Sequence, residues 1–163
     1  MTIRWAELKD LERMVEIFNY EIVNGTSSFS IHPKTVEERK SWFEEHDRLW
    51  HPLIVAEEEG TVIGYACLST YRSYDAYDTS AELSVYVDRN YRGRRVGHAL
   101  MERLLEVARE SGKIHAVLSV ITGDNKTSMG LHEKFGFTCC GVTKEVGKKF
   151  GRYLDTAIYE LIL

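Results

Sequence analysis

VYVDRNYRGRRVG, residues 85–97, holds the change of period on which the fold turns. Just upstream, AELSVYVD (81–88) alternates in its first half and is rich in β-prone residues, so it reads as a strand. The chain then turns through Arg92-Gly93-Arg94-Arg95, and a helix opens near Val96-Gly97. Val96, Ala99, Leu100, Leu104, Val107 and Ala108 share one face of that helix, and Gly112 closes it. The first turn of a helix presents unpaired N–H groups at the positive end of its dipole, a ready seat for a phosphate or diphosphate. Gly93 and Gly97 leave room for a ligand against the backbone, His98 adds one more N–H, and the arginines add charge. Glycine and arginine content alone fits a solvated basic helix start equally well.

Working outward, residues 2–5 read as a short strand, followed by a helix from Asp10, its N-cap, along Leu11, Met14, Val15, Phe18 and Ile22. Asn24 to Pro33 is polar and turn-rich and reads as a loop. Thr35 and Glu38 form a capping box for a second helix running to about Leu49, which Pro52 stops from continuing. Residues 53–58 and 61–69 make a hairpin about Glu59-Gly60, and an aromatic link, YRSYDAYDT (71–79), leads back to the strand at 81–88. Strand 115–121, helix 127–135 and strands 137–146 and 153–163 complete the order β-α-α-β-β-β-α-β-α-β-β. This is an α/β (α+β) arrangement: one domain over 1–163, with a mixed, mostly antiparallel twisted sheet flanked by about four helices.

Composition narrows the function. Hydrophobic residues make up 44% and charged residues 28%, which excludes disorder, and 21 Lys plus Arg against 25 Asp plus Glu give a net charge of -4. That balance disfavours nucleic-acid or anionic-membrane partners, and no apolar run approaches the ~20 residues of a bilayer span. The first residues lack the hydrophobic stretch of a signal peptide. Three cysteines, two of them adjacent, make no disulfide framework, and no Cys/His spacing points to a metal. The expectation is a reduced, cytoplasmic protein. Core filling is the default for Cys67, Cys139 and Cys140, while Trp5, Trp42 and Trp50 read as core or interface residues.

The segment from Arg92 to Gly97 resembles the acetyl-CoA pyrophosphate loop of the GNAT N-acetyltransferases, Q/R-x-x-G-x-G/A, with Arg95 in place of the middle glycine. GDNKTSMGLHEKFGF (123–137) resembles their N-x-x-A-x-x-L-Y-E-K-x-G-F, with Ser128 for alanine and His132 for tyrosine. Glu82 in ELSVYV, His132 in LHE, YEIVNGTSSF (20–29), YRSYDAY (71–77) and GRYLD (151–155) are similar to the phosphinothricin and methionine sulfoximine N-acetyltransferase subgroup over nearly the whole chain. The resemblance implies acetyl-CoA as co-substrate without a metal, a small-molecule amine acceptor, and a homodimer. It places the cofactor on Val85, Tyr86, Val87, Arg92, Gly93, Arg94, Arg95, Val96, Gly97, His98, Asn125, Ser128 and Lys134. The Asn125 side chain would meet the pantetheine arm, and the Val87 N–H would meet the developing oxyanion.

Acetyl transfer to an amine needs a base, because α-amino groups titrate near ~8. Glu82 is the candidate, on the same strand face as Ser84 and Tyr86; the competing reading is a sheet glutamate in an ion pair. His132 is expected either to protonate the departing thiolate, to act as a second base, or to be a packed helix histidine. Arg72 is placed to pair with an acceptor's carboxylate, and Phe29, Tyr74 and Tyr77 to wall the acceptor pocket. Three competing readings remain open: acetylation of another amine (a polyamine, an aminoglycoside or a protein N-terminus), a non-catalytic acyl-CoA-binding module, and a nucleic-acid binder using Arg89, Arg92, Arg94 and Arg95.

Overall fold

A computed structural model describes all 163 residues. One seven-stranded sheet takes in every strand: β1 (Thr2–Trp5), β2 (Leu53–Glu58), β3 (Thr61–Thr70), β4 (Ser80–Val87), β5 (Ala116–Thr122), β6 (Thr138–Lys149) and β7 (Arg152–Ile162). The spatial order is β1-β2-β3-β4-β5-β7-β6, and every neighbouring pair is antiparallel except β4 with β5. The helices are α1 (Leu11–Asn24), α2 (Val36–Glu44), α3 (Val96–Ser111) and α4 (Lys126–Lys134). None is long and apolar enough to cross a membrane.

Strand alternation sorts the core into two layers. On one face Ile54, Ile63, Leu68 and Leu83 pack against Leu100, Leu104 and Leu105 of α3. On the other, Val55, Tyr65 and Cys67 pack against Met14 and Ile17 of α1. Each fully buried leucine contributes roughly 1.5–3 kcal/mol. Gly112 ends α3 in the left-handed conformation that glycine adopts without strain (φ 61°).

Some boundaries and burials differ from the sequence reading. Asp10 does not cap α1 with its side chain; it pairs with Arg4 at 2.7 Å and accepts the Glu7 N–H, closing a 3-10 turn before the helix. The Thr35–Glu38 capping box is present, but α2 stops at Glu44, well short of Leu49. Asp47 accepts the N–H groups of Leu49 and Trp50 and turns the chain before Pro52 is reached. Cys67 is buried as expected, but Cys139 and Cys140 are exposed, because β6 is an edge strand at a register shift. Trp5 and Trp42 pack against the core, whereas Trp50 is exposed.

Candidate active site

The parallel pairing of β4 with β5 covers only Ser80–Ala116, Ala81–Val117 and Glu82–Leu118. Beyond Glu82 the two strands part. The Asp88 N–H donates to Ile63 at 2.9 Å, so antiparallel alternation turns the amides of residues 82, 84 and 86 toward β3. The Val85 and Val87 amides therefore face the gap, where no strand receives them. Ser119 of β5 stands at the apex of the opening, its hydroxyl 3.4 Å from the Leu83 carbonyl.

The turn into α3 lies at the mouth of this gap. Arg95, the N-cap, provides no side-chain acceptor, so the first-turn N–H groups of Val96, Gly97 and His98 have no protein partner. Gly93 and Arg95 both adopt left-handed conformations (φ 75° and 63°), and Arg95 occupies the position where the resembling family carries glycine. Arg92 is tied to Glu21 of α1, and Arg94 to Glu58 at 2.6 Å. Arg95 has no acidic partner and is left free to meet an anion. Tyr86 lies beneath α1, edge-on to Phe18.

Glu82 sits half-buried on β4, opposite Ser69, on the face that carries Ser84 and Tyr86. It makes no ion pair, which removes the competing reading, and burial alone holds its carboxyl above the ordinary carboxylate range. His132 is 4% exposed. Its Nδ1 lies 2.8 Å from the Ser128 carbonyl and its Nε2 2.9 Å from the Ser119 hydroxyl. A carbonyl can only accept, so Nδ1 carries the proton and Nε2 accepts from Ser119. Burial lowers the ring's pKa and keeps it neutral. Packed against Phe137, the ring clips α4 to β5 and leaves neither nitrogen free. That arrangement fits the packed reading of the three.

Asn125 caps α4 through the Ser128 N–H, and its amide nitrogen lies 3.4 Å from the Ser27 hydroxyl. Lys134 is exposed at the end of α4. The acceptor residues are not gathered in one place. Arg72 and Tyr77 line a cavity of about 170 Å³ with Trp50, His51, Thr70 and Asp78. Tyr74 is 74% exposed, and Phe29 packs against Gly147 of the β6–β7 hairpin. Sequence reasoning missed Glu21 and Lys149. Glu21 was detectable as a carboxylate on the apolar stripe of α1, one turn from Phe18. Lys149, 4% exposed and donating to the Ser28 carbonyl at 2.7 Å, lies in a strand whose pattern carries no such signal.

Unpaired helix-start amides beside a parted strand pair make a seat for an anionic group, and an unpaired half-buried carboxylate on the adjoining strand is a candidate base beside it. Residues 14–137 match the acetyltransferase (GNAT) family, and the chain belongs to it. It is an acetyltransferase. The L-methionine sulfoximine/L-methionine sulfone acetyltransferase of Salmonella typhimurium is 36% identical over 163 residues, covering 100% of this chain and 95% of that protein. The crystal structure of a phosphinothricin acetyltransferase from Sinorhizobium meliloti in complex with AcCoA superposes with a TM-score of 0.95 at 34% identity, covering 99% of this chain and 88% of that one. A ribosomal-protein-alanine N-acetyltransferase from Brucella melitensis gives a TM-score of 0.96 at 39% identity, with 100% of both chains covered.

Proposed function

We propose that this enzyme moves the acetyl group of acetyl-CoA to the amine of a small amino-acid-like acceptor of the phosphinothricin, methionine sulfoximine or methionine sulfone type, by direct attack in a ternary complex. The observation that carries this reading is Glu82: an unpaired carboxylate, held above its ordinary pKa by burial, on the strand that borders the gap. In this reading the amides of Val96, Gly97 and His98, with Gly93, Arg94 and Arg95, hold the diphosphate. Arg92 braces the turn through Glu21, and the Val85–Val87 backbone with Asn125, Ser128 and Lys134 lines the pantetheine arm. Glu82 takes the ammonium proton directly or through water. The amine nitrogen then bonds to the thioester carbon and the Val87 N–H receives the oxyanion; the C–S bond breaks, and the second proton that the nitrogen sheds on becoming an amide passes, directly or through water, to the departing sulfur, which leaves as the CoA thiol. Neutral His132 supports this centre by fixing Ser119 and α4. Arg72 and Tyr77 share one cavity, apart from exposed Tyr74 and from Phe29 at the β6–β7 hairpin, and the acceptor reading does not rest on these four.

The Salmonella and Sinorhizobium relatives favour the amino-acid acceptor, and the role that follows is detoxification of such compounds in the cytoplasm. The Brucella relative favours a second reading, acetylation of a protein's N-terminal alanine. The chain is proposed to act as a homodimer through the face of β5 and β7 on which Val120 and Ile162 are exposed. Incubation with acetyl-CoA and phosphinothricin, methionine sulfoximine, methionine sulfone and an alanine-ended peptide, with thiol release followed, tests the acceptor. Release with the amino acids and not with the peptide is the expected result, and the reverse selects the second reading. Glu82→Gln is expected to lower kcat/KM by roughly 10²–10⁴-fold, and an unchanged turnover would remove Glu82 as the base.

A further inference from the structure

Arg39 is a cation for which the fold supplies no partner. It lies on α2, one turn from Trp42, and its guanidinium stacks 3.5 Å from the Trp42 ring centroid and 4.7 Å from that of Phe18. Stacking engages the faces of the group and leaves its in-plane N–H donors available, and none of them meets a protein acceptor or an acidic side chain. The residue is partly buried, which makes an unanswered charge costlier than one in open water. Its position is set by the rings around it. Trp42 packs on Tyr65 at 6.2 Å, and Tyr65 stacks on Tyr86 at 5.3 Å, so Arg39 overlooks the β3–β4 face that carries Glu82, Ser84 and Tyr86. On the same patch the Tyr65 hydroxyl is the one buried side-chain polar atom without a hydrogen-bond partner. Burial gives Cys67 and Tyr86 the larger part of their upward pKa shift; Arg39 lowers and Glu82 raises the pKa of both, so both charges lie near these residues, and no ion pair joins the two charges. Arg72, by contrast, is exposed and shares its cavity with Asp78, an acid that opposes an anion there.

We propose that Arg39 reads the acid end of the acceptor, binding a carboxylate or phosphinate oxygen while the amine of the same molecule stands at Glu82. This rests on the acceptor reading above. It makes Arg39 a specificity residue for amines that carry an oxyanion several bonds from the nitrogen.

The test is steady-state kinetics at saturating acetyl-CoA with phosphinothricin, whose acid groups lie on both sides of the chain, with an amino acid bearing only the α-carboxylate, and with a simple alkylamine. Wild type, Arg39→Gln, Arg39→Lys and Arg72→Ala are compared. Arg39→Gln is expected to raise KM at least tenfold for the acceptors whose oxyanion Arg39 holds, with little change for the alkylamine or for acetyl-CoA. Arg39→Lys is expected to recover part of the loss. A loss confined to phosphinothricin assigns the distal phosphinate, and a loss shared with the plain amino acid assigns the α-carboxylate. Equal losses for all three amines, or a full effect from Arg72→Ala and none from Arg39→Gln, overturn the proposal. If wild type acetylates none of the amines, the acceptor reading fails first. Calorimetric binding of phosphinothricin to the CoA-loaded protein then decides Arg39: wild-type binding that Arg39→Gln abolishes sustains it, and no binding, or equal binding by both, overturns it.

Discussion

Arg95 bears a side chain at a backbone conformation that costs an L-residue of order 1 kcal/mol or more, and glycine nothing. The strain sits at the turn that presents the α3 amides, and the same substitution places an unpaired cation beside them. Two effects therefore oppose one another at one position. Arg95→Gly is expected to raise the stability of the free protein by about 1 kcal/mol less the entropy glycine adds to the unfolded chain, as read from the urea midpoint. It is expected to weaken CoA binding several-fold and to flatten its salt dependence, as read by calorimetry at two ionic strengths. Weaker stability together with unchanged affinity would remove both halves of the account. Glu82 shows the same trade in another form: its burial penalises the charged state that a base needs.

At the scale of elements, the hairpin at residues 53–69, the helix at 96–111 and its closing Gly112 follow from local pattern, and the structure keeps them nearly where the pattern puts them. What local pattern misses depends on partners distant in sequence. Asp10 has the composition of an N-cap, but Arg4 on the first strand claims its carboxylate. Cys139 and Cys140 look like core residues until the strand order makes β6 an edge. The parting of β4 from β5 is a property of two strands' register and leaves no mark in either stretch of sequence. Glu82 and the residue 92–98 turn stand out in the sequence through the family resemblance, since local pattern alone fits a sheet glutamate and a solvated helix start as well; Arg39, Ser119 and Lys149 matter only once three elements meet. On the face of β5 and β7 that carries Val120, that residue is 46% exposed. If that face joins two copies, wild type is expected to sediment at twice the chain mass and Val120→Glu at the chain mass. A monomeric wild type ends the dimer proposal.

Across the whole molecule, buried His132 and half-buried His46 bear on the response to acid. Burial lowers the folded-state pKa of both His46 and His132 below the ordinary 6.5. The unfolded chain then binds protons first, so their contribution to stability is complete above about pH 6.5 and is lost as pH falls through the folded values. Glu82 runs the other way, since its raised pKa costs stability at neutral pH and the cost lifts on protonation. The histidine part is read by comparing wild type with His132→Gln: the variant is expected to lose less, or gain more, in urea midpoint than wild type between pH 7.5 and pH 5.5, and an identical pH dependence would contradict it. The sheet itself is joined across its middle by three residue pairs, with α3 as the covalent strap between the halves. A thioester lodged between Val87 and Ser119 would rivet two plates that are otherwise only hinged. By mass action the rivet stabilises the native form in proportion to its supply, so a cell rich in acetyl donors would hold this enzyme in its most heat-tolerant state.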